Sequence, residues 1–509
     1  MVPGATWPQQ AHRAYGPRRD GCNSIKWVSR ASLAAGSPTV ADPGLTAELR
    51  AVLLAAGFTG EGVRDALGTG VGVLSGWVDI PLHVRRLAAT GPLGTLIRLL
   101  VLDEPVASSD AAGAFAPLPL ERVEQIGIVA RDGAEAHPLV RIVPHDELLI
   151  ASDRRVARGE PERTDHVAGV HGPSLTLSHL TVRRPVDTLL DVGTGCGVQA
   201  ILAAPHTRQV VGTDLNARAL EFAAFNAQLN GVENVDWREG SFFEPARGRY
   251  ELITSNPPYV ISPETAYLFR DSGMAGDAVS RLVVRDAPEY LEEGGFATLL
   301  VSWIDSGDWA APLRAWVEGS GCDAWLLHHG THDPLTHAGN WLRHEVGHDP
   351  EAYAAALDRW LAYLDELGAE GVAVGAVILR RREGRNWVRA DELPGERLRP
   401  ASEHILRVFA AEDFLAGDPP LDGERLALAR HARLRQQASW TGGEWTTEDL
   451  SVVLEEGLGF RASLDPGAAS MLAALDGRRT LGSIAAELEA DLVPLARAML
   501  GAGFLERHG

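Results

Sequence analysis

The chain has 509 residues, more than one ordinary domain holds, so two to four domains are expected. Apolar residues make up 45% and charged residues 23%, a balance that supplies real cores and excludes an extended, disordered polymer. The formal charge of −21, from 68 acidic and 47 basic side chains, disfavours nucleic acid as a partner. Cys22, Cys196 and Cys322 stand far apart, without a CxxC pair or a disulfide framework, which suits a reduced, cytoplasmic protein. No apolar run approaches the roughly 18 to 20 residues of a membrane span, so no membrane partner is expected.

Residues 1–40 are rich in Pro, Gly, Ala and Arg without an apolar period and read as a disordered tail. They lack the apolar core, roughly 7 to 15 residues long, of a secretory signal. From Leu45 the pattern turns helical in LTAELRAVLLAAGF, EGVRDALG, PLHVRRLAA and GTLIRLLVL, with LPLERVEQIGIV as one more helix. HPLVRIVPHDELLIASD then alternates like two strands around a turn at Pro144 to Asp146. Residues 41–165 are therefore expected to form an accessory α+β domain.

Residues 166–390 alternate strand and helix. VDTLLDV, RQVVGTD, NVDWREG, YELITS and GFATLLVSW read as strands, with GVQAILAA, ARALEFAAFNAQLN and AVSRLVVRDAPEYL as helices between them. The rhythm predicts an α/β, Rossmann-like, doubly wound core whose ligands lie beyond the carboxyl ends of the strands. DAWLLHH and GVAVGAVILRR are expected as its last two strands. Between them, residues 329–371 are too long for a loop and read as a helical insertion. Residues 391–509 turn helical and acidic and end in three helices and a short strand. That pattern predicts a mainly helical, winged-helix-like domain, although Glu487, Glu489 and Asp491 stand where a DNA reader would want arginine.

Two stretches carry chemistry. DTLLDVGTGCG is an apolar strand that breaks into a loop with Gly193, Gly195 and Gly197. Glycines there let the backbone approach a ligand closely, and the GxGxG spacing differs from the GxGxxG that cradles a pyrophosphate. The next strand ends in Asp214, a carboxylate able to accept both hydroxyls of a ribose. The second stretch, ITSNPPYV, is an apolar strand that ends in Asn256, Pro257, Pro258 and Tyr259. By itself NPP would equally make a proline-bracketed turn.

In this order and spacing, DVGTGCG, TDLNARALEFAAFNAQLN and SNPPYV resemble the class I S-adenosylmethionine (SAM) methyltransferases that methylate a planar nitrogen. The resemblance is closest to the HemK/PrmC-like protein-glutamine methyltransferases and covers about residues 170–305. It implies SAM as cofactor, with Asp191 toward its cationic end and the three glycines beneath it. It further implies Asp214 on the ribose, Ser241 and Phe242 beside the adenine, and Asn256 between cofactor and acceptor. Position 241 holds serine where the family more often has an acid.

For catalysis the resemblance implies Asn256, Pro257 and Tyr259. An amide nitrogen is a poor nucleophile because its lone pair is delocalised. The Asn256 side-chain oxygen and the Pro257 carbonyl can accept its two N–H bonds, while Tyr259 stacks on the planar group. The favoured acceptor is a glutamine-containing protein; an exocyclic amine of adenine or guanine in RNA or DNA is the alternative. A SAM-binding pseudoenzyme is a reading of another class. FRDSGMAGDA sits where the glutamine enzymes have a substrate loop, with Arg270, Asp271, Ser272 and Gly273 as candidates to hold the acceptor.

His344, Glu345 and His348 fit the HExxH zinc signature. Gly347 and Pro350 would end the helix where a zinc-protease helix must continue, so no metal site is expected and a zinc hydrolase is the last reading. The segment, with His328, His329, His332, His337, Trp325 and Trp341 nearby, instead reads as an aromatic, His-rich cap on the substrate crevice.

Overall fold

The structure, a computed structural model, describes residues 36–38, 42–69, 79–155, 163–265, 267–268, 270–345, 349–395 and 398–508. All but three residues of the expected N-terminal tail lie outside this set. The stretch from Gly36 to Gly509 is a single compact unit.

Its centre is an eight-stranded sheet: β1 (Val186–Val192), β2 (Thr207–Asp214), β3 (Val235–Glu239), β4 (Tyr250–Ser255), β5 (Leu291–Asp305), β6 (Cys322–His332), β7 (Gly371–Arg381) and β8 (Val388–Glu392). The order across the sheet is β8-β6-β7-β5-β4-β1-β2-β3. Only β7 runs antiparallel to its neighbours, β5 and β6. Strands buried on both faces explain the continuous apolar runs in the sequence. Alternate residues of each strand feed opposite layers. Leu189, Leu252 and Leu300 pack on one face with the helices Gly172–Leu180, Val198–Ala203 and Ser402–Leu415. Leu190, Ile253 and Leu299 pack on the other with the helices Ala278–Asp286 and Ala310–Val317.

Strand order reverses at β1, which pairs with β2 on one side and β4 on the other. The crossovers diverge there and leave a crevice beyond the carboxyl ends of β1 and β4. The glycine loop and the Asn256 loop both start at that point.

The region before the sheet shares a hydrophobic cluster with it. Leu49, Leu53, Leu149 and Ala151 pack in one cluster with Cys196, Ile201, Phe222 and Phe225. The hairpin Arg141–His145/Leu148–Ser152 lies along the helix Ala217–Leu229, where two asparagines complete its backbone pairing. The Asn226 amide accepts from Ala151 N (2.7 Å) and donates to Ala151 O (2.8 Å) and Cys196 O (2.9 Å). One turn on, Asn230 accepts from Leu149 N (3.0 Å) and donates to Leu149 O (2.8 Å). A bidentate ion pair from Arg218 to the buried Asp153 closes the same seam.

The last part of the chain departs from the mainly helical expectation. β8 adds a strand in parallel to β6, and the helix Ser402–Leu415 buries Ile405, Val408 and Phe409 against the core. Strands Arg425–Leu428, Ala432–Thr441, Glu444–Leu454, Arg461–Ser463, Asp476–Thr480 and Leu505–His508 then share the region with three helices, so it is mixed α and β. The long hairpin Ala432–Leu454 turns at Gly442 and Gly443, both with positive φ (66° and 94°), as a tight hairpin requires. Among the described residues, no helix is long and apolar enough to cross a membrane.

Asn226 is fully buried, so replacing it leaves three backbone groups without partners. At about 1 to 3 kcal/mol for each orphaned group, Asn226→Leu is expected to cost at least about 3 kcal/mol. Denaturant unfolding of both proteins checks this. A loss below about 1 kcal/mol would mean that the amide does not hold the seam.

Candidate active site

The glycine loop follows β1 and bends through left-handed backbone: φ is 69° at Gly193, 54° at Gly195 and 84° at Gly197. Only glycine takes such angles in succession without strain. A Cβ at Gly197 would lie 2.9 Å from Ala223, whereas one at Gly195 would meet nothing within 4 Å. The loop is thus packed at its far end and open at its middle, which leaves a ligand room to lie against the Gly195 backbone. The loop also borders the second motif, since a Cβ at Gly193 would lie 3.9 Å from Pro257 and 4.0 Å from the Asn256 carbonyl.

Asp191 sits on β1, fully buried, and departs from its expected place against a cationic ligand. One oxygen accepts from Thr194 in the glycine loop (2.6 Å), the other from Thr254 on β4 (2.9 Å). Both oxygens are held by protein hydroxyls, and burial pushes the carboxyl up to about 6. Asp214 ends β2 and binds the same loop, accepting from Gly195 N (2.8 Å) and Asn216 N (2.8 Å). Burial raises its pKa as well, against those two amides. A carboxylate has about four lone-pair positions, so Asp214 keeps capacity for further donors.

Ser241 and Phe242 follow β3. Both are half-buried, and Phe242 has a left-handed φ of 44°. Its carbonyl accepts from Thr213 Oγ1 on β2 (3.0 Å), which ties the turn beside Asp214.

The loop after β4 holds Asn256 half-buried, with no side-chain hydrogen bond to a described residue. Tyr259 N donates to the Pro257 carbonyl (2.8 Å), curling the loop tightly around that oxygen. Burial pushes the Tyr259 phenol up to about 12, so it stays un-ionised. Tyr259 also bridges to Asp271 in antiparallel fashion. Arg270 and Asp271, expected to contact an acceptor, are instead buried and paired with each other (2.7 and 3.0 Å). Asp271 accepts in addition from Ser262 Oγ (3.0 Å) and Tyr267 N (3.2 Å), so the pair fastens the loop that carries Tyr259. Ser272 and Gly273 reach the surface.

Beyond Tyr259 opens a cavity of about 500 Å³. Its floor is Leu300 and Ser302 of β5 with Val374 and Ala376 of β7. Pro173 and Thr176 form one wall, and His337, Asn340 and Trp341 of the helix Pro334–Glu345 form another. Between β6 and β7 lie the helices Pro334–Glu345 and Pro350–Glu366, and sequence reasoning did not single out Asn340, Ser302 or Thr176. The strand period of two would have put Ser302 and Leu300 on one face. His337 Nε2 bonds the Ile261 carbonyl (2.9 Å), and burial lowers its pKa. The side chains of His344, Glu345 and His348, the HExxH candidates, lie outside the described residues. Among the described residues, no group of three or more His, Cys, Asp and Glu side chains could hold a metal ion.

Sheet order, glycine loop and Asn256 loop define a Rossmann-like methyltransferase. The family model of the methyltransferase small domain matches residues 170–303, and that of a domain of unknown function (DUF7059) matches residues 55–139. The chain is 30% identical over 234 residues to the release factor glutamine methyltransferase of Agrobacterium fabrum, covering 42% of this chain and 79% of that one. It is 34% identical over 165 residues to the release factor glutamine methyltransferase of Yersinia pestis, covering 29% and 57%. To the ribosomal protein uL3 glutamine methyltransferase of Bradyrhizobium diazoefficiens it is 36% identical over 173 residues, covering 28% and 53%. The chain thus spans between about half and four fifths of the length of these curated relatives. It belongs to the HemK/PrmC-like family of SAM-dependent N-methyltransferases.

The Asp191 carboxyl is raised in the fold, from 3.8 to about 6. A raised acid stabilises fully below its unfolded pKa, and that contribution is lost as pH rises through about 6. Asp191→Asn removes the titration. Its stability relative to wild type should therefore rise by roughly 2 to 3 kcal/mol between pH 4 and pH 7.5. Denaturant melts of both proteins at the two pH values measure this; an unchanged difference would contradict the burial of a charged carboxylate here.

Proposed function

We propose that the protein methylates the side-chain amide nitrogen of a glutamine in a protein acceptor, with SAM as donor. The observation that carries this reading is the position of Asn256: half-buried, without a side-chain partner among the described residues, and next to a glycine loop with open space over Gly195. In this reading the loop backbone lies beneath the cofactor and Asp214 accepts the ribose hydroxyls, with Ser241 and Phe242 flanking the adenine. Asp191 shapes the loop from behind through Thr194 and Thr254. When bound, SAM supplies an electrophilic methyl group on a sulfonium.

The chain's own residues do the rest. Asn256 Oδ1 accepts one amide N–H of the acceptor, and the Pro257 carbonyl accepts the other. That carbonyl already takes the Tyr259 N–H but has a second lone pair free. Two acceptors on one NH2 favour positive charge on nitrogen as its bond to carbon forms, and they fix its direction of approach. Tyr259, held neutral, offers a ring face to the planar amide and does not act as a base. Around this core, residues 41–165 brace the cofactor loop through Asn226, the insertion 329–371 borders the acceptor side, and residues 391–509 form an appended domain.

Asn256→Ala should lower methyl transfer by roughly 100- to 1,000-fold, the usual effect of removing one transition-state contact, and leave SAM affinity within about threefold. Transfer of labelled methyl to protein fractions, with a binding assay alongside, separates the two. Activity within tenfold of wild type would remove Asn256 from the mechanism.

A further inference from the structure

Placing a methyl group on an amide nitrogen leaves one proton to remove. The nitrogen lone pair forms the bond to the methyl carbon, and the carbon–sulfur bond breaks with its electron pair left on sulfur. One N–H proton must then depart for the product to be a neutral N-methyl amide. Amide oxygens such as Asn256 Oδ1 and the Pro257 carbonyl are too weakly basic to keep it. The carboxylates of the site are engaged: Asp191 by Thr194 and Thr254, Asp214 by the Gly195 and Asn216 amides, Asp271 by Arg270 and Ser262. The Tyr259 phenol, pushed up to about 12, carries its own proton at neutral pH.

The cavity past Tyr259 supplies a base. His337, on the helix Pro334–Glu345, is 4% exposed and lines that cavity. Its Nε2 lies 2.9 Å from the Ile261 carbonyl, an oxygen that only accepts, so Nε2 carries the ring proton and Nδ1 the lone pair. Nδ1 has no hydrogen-bond partner among the described residues, yet it is not sealed away, so it opens on the cavity that the ring lines. Burial lowers the pKa of His337 from its ordinary 6.5, which leaves the ring neutral and able to accept at neutral pH. Among the described residues, the titratable group that bears on it is His332 at the end of β6, whose charge lowers it further. The Trp360 ring lies 5.8 Å from the His337 ring, and Arg270, over that tryptophan at 5.9 Å, is paired with Asp271. His329 and His332 line the same cavity and are exposed, so a proton taken up there has a way out to bulk water.

We propose that His337 Nδ1 accepts the proton released by methyl transfer, through a water held in the cavity, and that the cavity is the proton's exit. The proposal rests on the reading of the protein as a glutamine methyltransferase. No further co-reactant is needed: the imidazole becomes an imidazolium, then returns its proton to solvent before the next turnover. The bond to Ile261, two residues after Tyr259, fixes both the tautomer and the place of the ring. It gives the helix Pro334–Glu345 a part in the chemistry.

The test compares the full-length wild type with His337→Gln, whose side-chain amide keeps a donor for the Ile261 carbonyl but has no basic lone pair. Transfer of labelled methyl from SAM to the acceptor fraction is followed from about pH 5 to about pH 8.5. The wild-type kcat is expected to fall on the acid side, as the ring protonates below its lowered pKa. The variant should lie about tenfold or more below wild type at neutral pH, with that acid limb gone. A variant with the wild-type rate and the wild-type acid limb overturns the role of His337 and leaves the glutamine reading standing. A wild type that puts no methyl on glutamine removes the reading beneath it instead. Histidine 15N spectra of the wild type with S-adenosylhomocysteine need no acceptor. Assigned by difference from His337→Gln, or from His337→Asn should the first variant not fold, they should show Nε2 protonated and Nδ1 bare at neutral pH. A protonated Nδ1 there overturns the proposal whatever the acceptor is.

Discussion

The two loops of the site come from strands that are neighbours in the sheet but about sixty residues apart in sequence, and a single carboxylate couples them. Asp191 takes a hydroxyl from each side, Thr194 in the glycine loop and Thr254 at the end of β4. Burying that carboxylate is unfavourable, as its raised pKa shows, and the two hydroxyls offset only part of the penalty. The gain is registry: the left-handed turn through Gly193 and Gly195 is held against the start of the Asn256 loop. Asp214 repeats the device from the other side by accepting the Gly195 amide.

The additions around the core act on those same loops. The N-terminal hairpin reaches the glycine loop through Asn226, whose amide bonds both Ala151 and the Cys196 carbonyl. The insertion reaches the loop that carries Tyr259 through His337 and Ile261. The buried Arg270–Asp271 pair fastens the segment after Tyr259 from within. The N-terminal hairpin, through Asn226, and the insertion, through His337, are thus each tied to one of the two loops, so changes far from the chemistry can shift loop geometry by fractions of an ångström, enough to matter for positioning.

The parts of this arrangement that were legible in sequence are those where one local rule governs. Apolar runs of strand length gave β1, β2 and β4 to β7, and glycines at alternate positions announced a left-handed loop. The Asn-Pro-Pro-Tyr run marked the second loop because two prolines fix its backbone. Other elements were hidden for physical reasons. β8 is an edge strand with no fully buried residue, so NWVRADE carries no apolar pattern. The hairpin Ala432–Leu454 is exposed over its outer half, which erases the alternation of a half-buried strand; only the pair Gly442–Gly443 signalled its turn. The inward role of Asp191 and the pairing of Arg270 with Asp271 depend on which way a side chain turns once packed. An acidic strand end and a loop arginine suggest a ligand just as readily.

The account stands or falls on whether the glycine loop and Asp214 hold SAM. Isothermal calorimetry of SAM with the wild-type protein and with Asp214→Ala tests that most directly. The account predicts clear one-to-one binding by the wild type and its loss, by a hundredfold or more, in the variant. Absence of binding to both SAM and its demethylated product in the wild type, or equal binding by the two proteins, would contradict it.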